Sequence, residues 1–303
     1  MRLDIACRTW PRARPVPRRG NLGEPCQLTY VDKVANLPVG CIRYMPFDPH
    51  RFHAAAAYYR GGRIPYPPKL IRRVADLVGM GENDRVLDLG CGPGQLAIGF
   101  SYFANEVLGV DPEPEMLAIA AEAAKGLASN VRFHEGSSFD IDQSLGRFHL
   151  VTMGRSFHWM DRPATLHRLD DMVEVGGAIT LFGDRHIEVP ENAWHDEWRV
   201  ITERYAQSDP AWQQRRRAEP PHESVLLASR FSRLERVSLI AQHVSTVDSL
   251  IERARSMSCL SRQQIGARED EVARELRALL SGIATDGRIT EVIEWSALIA
   301  RRG

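Results

Sequence analysis

Lysine is scarce in this 303-residue chain: Lys33, Lys69 and Lys125 are the only three among 39 basic residues, so arginine carries the positive charge. Net charge is lacking as well, because 39 acidic residues balance the basic ones to zero and leave no electrostatic footprint for nucleic acid. No apolar run approaches the roughly 18 residues that a membrane-crossing helix needs, which argues against a membrane partner. The five cysteines, at positions 7, 26, 41, 91 and 259, are odd in number and show no C-x-x-C or metal-type spacing. They suit a reducing cytoplasm, the compartment expected here. Histidines such as His134, His167, His186 and His195 also lack ligand spacing, so no metal is expected. What is present is ordinary for a globular protein: 44% hydrophobic and 26% charged residues, and enough length for one α/β domain with a cap and a tail.

Charge is uneven along the chain. Residues 1–44 carry a net of +5, leaving −5 for the remainder, and their PRARPVPRRG centre lacks hydrophobic periodicity. A disordered or loosely attached segment is expected there. Arginine richness invites a targeting reading, but no apolar stretch follows Arg18 and Arg19 as export requires. Met45, opening MPFDPHRF, reads as the start of the structured chain.

The richest local signal lies between Arg85 and Ala97, RVLDLGCGPGQLA. Val86, Leu87 and Leu89 make an apolar strand; Gly90, Gly92 and Gly94 then allow a tight turn that a ligand can approach before a helix begins. The third glycine falls one position early for the dinucleotide pattern G-x-G-x-x-G. Asp88 places a carboxylate at the strand end, where it repels a pyrophosphate and attracts an amino group. A second strand over residues 106–110 ends in Asp111, positioned as an acidic tip that accepts ribose hydroxyls. A ribose without a pyrophosphate, joined to an ammonium near Asp88, describes S-adenosyl-L-methionine better than a dinucleotide.

VLDLGCGPGQLA followed by VLGVDPEPEML resembles the motif I and motif II pair of class I S-adenosylmethionine-dependent methyltransferases. The resemblance implies a cofactor set of Asp88, Gly90, Cys91, Gly92, Gly94, Gln95, Asp111, Pro112 and Met116, with Ser138 and Phe139 near the adenine and Gly154 and Arg155 near the methionine part. Where family members usually place an acidic residue beside the adenine amino group, this chain has Ser137, Ser138 and Phe139 in EGSSFD. The stretch YYRGGRIPYP is similar to the N-terminal segment of the trans-aconitate and ubiquinone methyltransferase-like branch, whose flap covers the cofactor. Tyr59, Arg63 and Tyr66 are its candidates for closing the site. RSFHWMDR, residues 155–162, resembles that branch's motif IV. Neither the N/D-P-P-Y/F motif of base amino-methylation nor a Pro-Cys motif of cytosine methylation occurs, so nucleic acid is not the expected partner.

His158 has three readings: a general base for an acceptor hydroxyl, a donor to an acceptor carboxylate, or a structural anchor with Trp159 in the core and Asp161 capping the next helix. Around these motifs the pattern predicts helices over 68–78, 95–103, 113–125 and 162–173, and strands over 131–134, 148–153 and 177–182. This alternation implies an α/β, doubly wound, Rossmann-like sheet. The family likeness adds seven strands with the last antiparallel, and a helical lid insertion. The domain reading is 1–44 as the Arg/Pro-rich segment, 45–190 as flap and S-adenosylmethionine-binding core, 191–234 as lid, and 235–303 as strands and helices completing the sheet. Trp194 and Trp198, four apart, share a helix face in the lid and are candidates with Trp159 for covering the acceptor. Arg215–Arg217 reads as a solvated turn.

These observations point to an enzyme that transfers a methyl group from S-adenosyl-L-methionine to a small-molecule acceptor at oxygen, either carboxylate or hydroxyl. A carboxylate would recruit Arg63 or Arg155; a phenol or quinol would recruit His158. The alternatives are an NAD-dependent oxidoreductase and a non-catalytic S-adenosylmethionine-binding protein. Oligomeric state is not written in the sequence.

Overall fold

Val86, Leu87 and Leu89 form the buried centre of β1 (Arg85–Leu89), each 1% exposed or less, because their alternation sends apolar groups to both faces of a sheet. A computed structural model describes residues 51–213 and 220–303. The expectations for 1–44, Met45 and Arg215–Arg217 lie outside the described residues.

Parallel neighbours flank β1: β2 (Glu106–Asp111) and then β3 (Val131–Glu135) on one side, β4 (Phe148–Gly154) and then β5 (Val173–His186) on the other. β7 (Arg288–Arg301) runs antiparallel to β5 and to β6 (Arg233–Thr246), giving the order 3-2-1-4-5-7-6. This is the expected doubly wound sheet with its last strand reversed. β5 is longer than the predicted 177–182 at both ends. Its pairing with β7 continues from Ile179–Ala300 out to His186–Ile293, so tertiary hydrogen bonds extend it past the local apolar run.

Helices cover both faces. α1 (Ala56–Gly62) is followed by α2 (Pro68–Val78), which starts on proline, buries Leu70, Ile71, Val74, Ala75 and Val78 along one stripe, and stops at Gly79 with φ of 72°. α3 (Gln95–Phe100) joins α2 in a core with Val86, Leu150, Phe182 and Trp295. α4 (Pro114–Ala124) follows β2. α5 (Arg162–Met172) packs beneath the opposite face with Leu87, Met153, Phe157 and Phe231. Each such large apolar side chain contributes roughly 1.5–3 kcal/mol by leaving water.

The 191–234 segment divides. α6 (Trp194–Ala206) rises to a cap, whereas α7 (His222–Leu227) packs Leu226 into the lower core. α8 (Val247–Arg255), the short α9 (Arg262–Ile265) and α10 (Arg268–Ile283) come from the 235–303 segment, yet they share one apolar cluster with α6. The cap is therefore built from both segments, and only the strands of the second complete the sheet.

Candidate active site

The chain order reverses between β1 and β4, which opens a crevice at the carboxyl ends of these strands. The glycine turn lies there. Gly90, Gly92 and Gly94 all have positive φ, 68°, 51° and 78°, which side chains other than glycine rarely adopt. Their surroundings differ. A Cβ on Gly90 would sit 2.6 Å from the Cβ of Ser156, and one on Gly94 would sit 3.1 Å from Ala120 and Phe133. Gly92 meets nothing within 4 Å among the described residues, so the middle of the turn faces open space.

Asp111 reaches this turn from β2. Its Oδ2 accepts the Gly92 N–H at 2.8 Å and its Oδ1 accepts the Glu113 N–H at 3.0 Å. A carboxylate offers about four lone-pair positions, so two stay available to a diol. Burial raises the Asp111 pKa, opposed by those two N–H groups.

Asp88, 1% exposed, is more deeply engaged. Thr152 Oγ1 on β4 donates to its Oδ1 at 2.8 Å, and the Ala97 N–H in the first turn of α3 donates to its Oδ2 at 3.0 Å. The sequence reading sets Asp88 beside an ammonium; in the structure it braces β1 to β4 and to the helix start. Burial pushes its carboxyl up to about 7, against the pull of Thr152 and Ala97. An arriving cation would favour the ionised form.

Cys91, within the turn, and Met116, on α4, are buried, and burial pushes the Cys91 thiol up, which suits a small packing residue. Ser138 is buried, while Phe139 is 43% exposed and Ser137 is tied to Asp140 through its N–H at 2.8 Å and its hydroxyl at 2.6 Å. Gln95 opens α3, and Pro112 follows the Asp111 tip.

On the β4 side, Arg155 adopts φ of 56°. Its guanidinium donates to Asp184 and to the Ile64 carbonyl, and stacks 4.5 Å over the Tyr66 ring. Arg155 thus links the flap to β5. Tyr66 also packs edge-on against Phe182 at 5.5 Å. Its hydroxyl is buried with no hydrogen-bond partner among the described residues. Burial raises the phenol pKa, with Arg155 opposing.

Arg63 donates to the Ser256 carbonyl at 2.9 Å and lies 4.9 Å over Tyr59, so these contacts direct Arg63 toward the end of α8. His158 sits 5.1 Å from Trp159 and 6.4 Å from His222 in a stacked arrangement. Asp161 caps α5 by accepting the Ala164 N–H at 3.1 Å. Trp198 is buried and stacks on His195, which in turn stacks on His186 with ring centres 3.8 Å apart; Trp194 meets the edges of both histidines. Burial, and then His186, lower the His195 pKa to about 4.

Sequence reasoning missed Ser156, Thr152 and Asp184, which hold the turn, Asp88 and Arg155. It also missed Arg51, whose guanidinium lies 4.9 Å over Trp159. These partners come from strand register and loop approach, for which no local pattern exists. Nor did spacing show that folding gathers His53, Glu113 and Glu115, or Asp84, His149 and Glu174. In the second group the two carboxylates lie 3.9 Å from Nε2 and Nδ1 of His149, and Nε2 also meets the Val78 carbonyl at 2.8 Å.

The sheet order, the glycine turn and the acidic tip of β2 together define a Rossmann-like fold of the methyltransferase kind. Residues 86–177 match the methyltransferase-domain family model. An uncharacterized methyltransferase of Schizosaccharomyces pombe is 32% identical over 108 residues, covering 32% of this chain and 39% of that protein. The 23S rRNA (uracil-C5)-methyltransferase RlmD of Francisella tularensis is 37% identical over 73 residues, 24% of this chain and 16% of that enzyme. The chain thus spans well under half the length of either relative. A structure from Anaeromyxobacter dehalogenans assigned to the type II methyltransferases matches with a TM-score of 0.53 at 18% identity, covering 79% of this chain and 97% of that one, and shows the shared fold. The family match therefore spans β1 to the start of β5 as a methyltransferase domain, and the structural neighbour shares the fold.

Proposed function

We propose that the chain transfers the methyl group of S-adenosyl-L-methionine to an oxygen of a small-molecule acceptor, in the manner of the trans-aconitate and ubiquinone methyltransferase-like branch. The observation that carries this reading is the pairing of Gly92, open to the crevice, with the Asp111 carboxylate hydrogen-bonded beside it. The residues fit the cofactor: the open glycine leaves room for the nucleoside, Asp111 keeps lone pairs for ribose hydroxyls, and buried Asp88 favours a cationic neighbour. When bound, the cofactor supplies a methyl group already activated on a sulfonium.

The protein's own task is then to position and to exclude water. The cap of α6, α8 and α10 and the flap with Tyr59, Arg63 and Tyr66 close over the carboxyl ends of the strands. His158 takes the proton of a hydroxyl acceptor; a carboxylate acceptor needs no base. Residues 45–303 carry a net charge of −5, which disfavours a polyanionic partner. The match to the rRNA enzyme covers only 73 residues and does not oppose this.

Calorimetry with S-adenosylhomocysteine and with NADH tests the cofactor. Binding of the first alone is expected, and Asp111→Ala should weaken it by about 1–3 kcal/mol. Binding of NADH, or an unchanged affinity in the variant, overturns the assignment. A panel of carboxylic acids, phenols and quinols with labelled cofactor tests the acceptor; label in none of them, or in RNA alone, removes the small-molecule reading.

A further inference from the structure

The Tyr66 hydroxyl is the loose end of the site. The ring is fixed by Phe182 on its edge and by the Arg155 guanidinium over its face. The oxygen points to the junction of the glycine-turn helix and the end of β4: a Cβ built on Gly154 would lie 3.0 Å from it and 2.8 Å from Leu96 Cδ1. The residue is 7% exposed, and no described residue accepts its proton. Buried hydroxyls nearly always find an acceptor, because the water they gave up has to be replaced.

The missing acceptor can be placed along the sheet. Asp111 ends β2, and Gly154 ends β4, with β1 between them. At about 4.8 Å per strand, these ends lie roughly 10 Å apart. A nucleoside held by its ribose at Asp111 and laid across the glycine turn carries its amino-acid end to β4. That end has one cation and one anion. Asp88, below the turn, suits the ammonium; Tyr66, a neutral donor beside Arg155, suits a carboxylate.

Resting on the cofactor reading above, we infer that the Tyr66 hydroxyl donates a hydrogen bond to the carboxylate of the bound S-adenosylmethionine. The anionic oxygen could instead belong to the methyl acceptor, and the test separates the two sources.

Wild type and Tyr66→Phe are titrated with S-adenosylhomocysteine, which has the amino-acid end, and with 5′-methylthioadenosine, which lacks it. The expected result is a loss of about 10- to 100-fold in affinity for the first and none for the second. Thermal unfolding of the ligand-free proteins is the companion measurement. Phe keeps the ring and removes an unpaired hydroxyl, so the variant should melt at or above the wild-type temperature. A structural role would lower the melting point and weaken both ligands equally, which overturns the inference. Unchanged S-adenosylhomocysteine affinity also overturns it and moves the hydroxyl to the acceptor. Wild type that binds neither ligand removes the cofactor reading itself, an outcome distinct from these.

Discussion

Arg51 and Asp209, 158 positions apart, form an ion pair almost wholly excluded from solvent, with side chains 10% and 1% exposed. The same guanidinium donates to Ser258 Oγ at 3.2 Å and lies over Trp159, against which Phe52 packs edge-on at 5.0 Å. One cation thereby fastens the segment before the flap to the motif IV loop and to two parts of the cap. Asp209 also accepts the Ala211 N–H at 3.0 Å.

Asp209→Asn should leave Arg51 buried without a counter-charge and destabilise the fold by about 3–5 kcal/mol. Chemical denaturation measures this. Arg51→Met combined with Asp209→Asn should cost less than the two single changes added, because neither partner is then left charged and alone. Strict additivity would show that the two side chains act independently.

Glu291 makes the second buried charge network. Fully enclosed on β7, it accepts from His186 at 2.7 Å, from Arg253 at 2.5 Å and 3.0 Å, and from Ser245. Burial alone would raise its pKa, but the hydrogen bonds from His186 and Arg253 outweigh it and bring the carboxyl down to about 2. A depressed carboxylate contributes stability that is complete above the unfolded value near 4.5 and disappears as pH falls toward 2. Denaturation midpoints should therefore drop across that window by about 3 kcal/mol of stability, and Glu291→Gln should flatten the slope. An equal slope in the variant would assign the acid sensitivity to other groups.

Gly62 is where the flap helix touches the cap. A Cβ there would lie 2.5 Å from the backbone of Glu252 and Arg253, and Arg253 Nε donates to the Gly62 carbonyl at 3.1 Å. Gly62→Ala should push α1 from α8, cost about 1–3 kcal/mol and loosen the flap. Gly282, in α10, has nothing within 4 Å of its added Cβ among the described residues. Gly282→Ala should instead stabilise by about 0.5–1 kcal/mol. Paired thermal melts compare them, and loss of stability in both would point to a general intolerance of change.

Much of the core was legible in the residues. The alternation of apolar runs and amphipathic stretches places β1 to β4 and α2 to α5 within a few residues of where they lie, because burial of one face dictates period 2 or 3.6. The glycine turn and Asp111 were equally readable, since φ above zero and an acidic strand tip are local demands. Asp88 shows the limit. Its type and position named it as a site residue, yet its bonds to Thr152 and Ala97 depend on how far β4 and α3 close upon it.

The sequence by itself determined the strands and helices of the parallel half of the sheet and the glycine turn after β1, because these follow from local periodicity and local φ demands; the pairing that joins β1 to β4 already links Asp88 to Thr152, 64 positions apart. Only the tertiary structure decided the roof. Glu291 meets His186 and Arg253 because the antiparallel register of β7 and the packing of α8 on α1 bring distant positions to bonding distance, and Arg51 reaches Asp209 across 158 positions. No local periodicity encodes such meetings; they arise when the burial of many apolar groups fixes one arrangement and the polar groups must find partners within it.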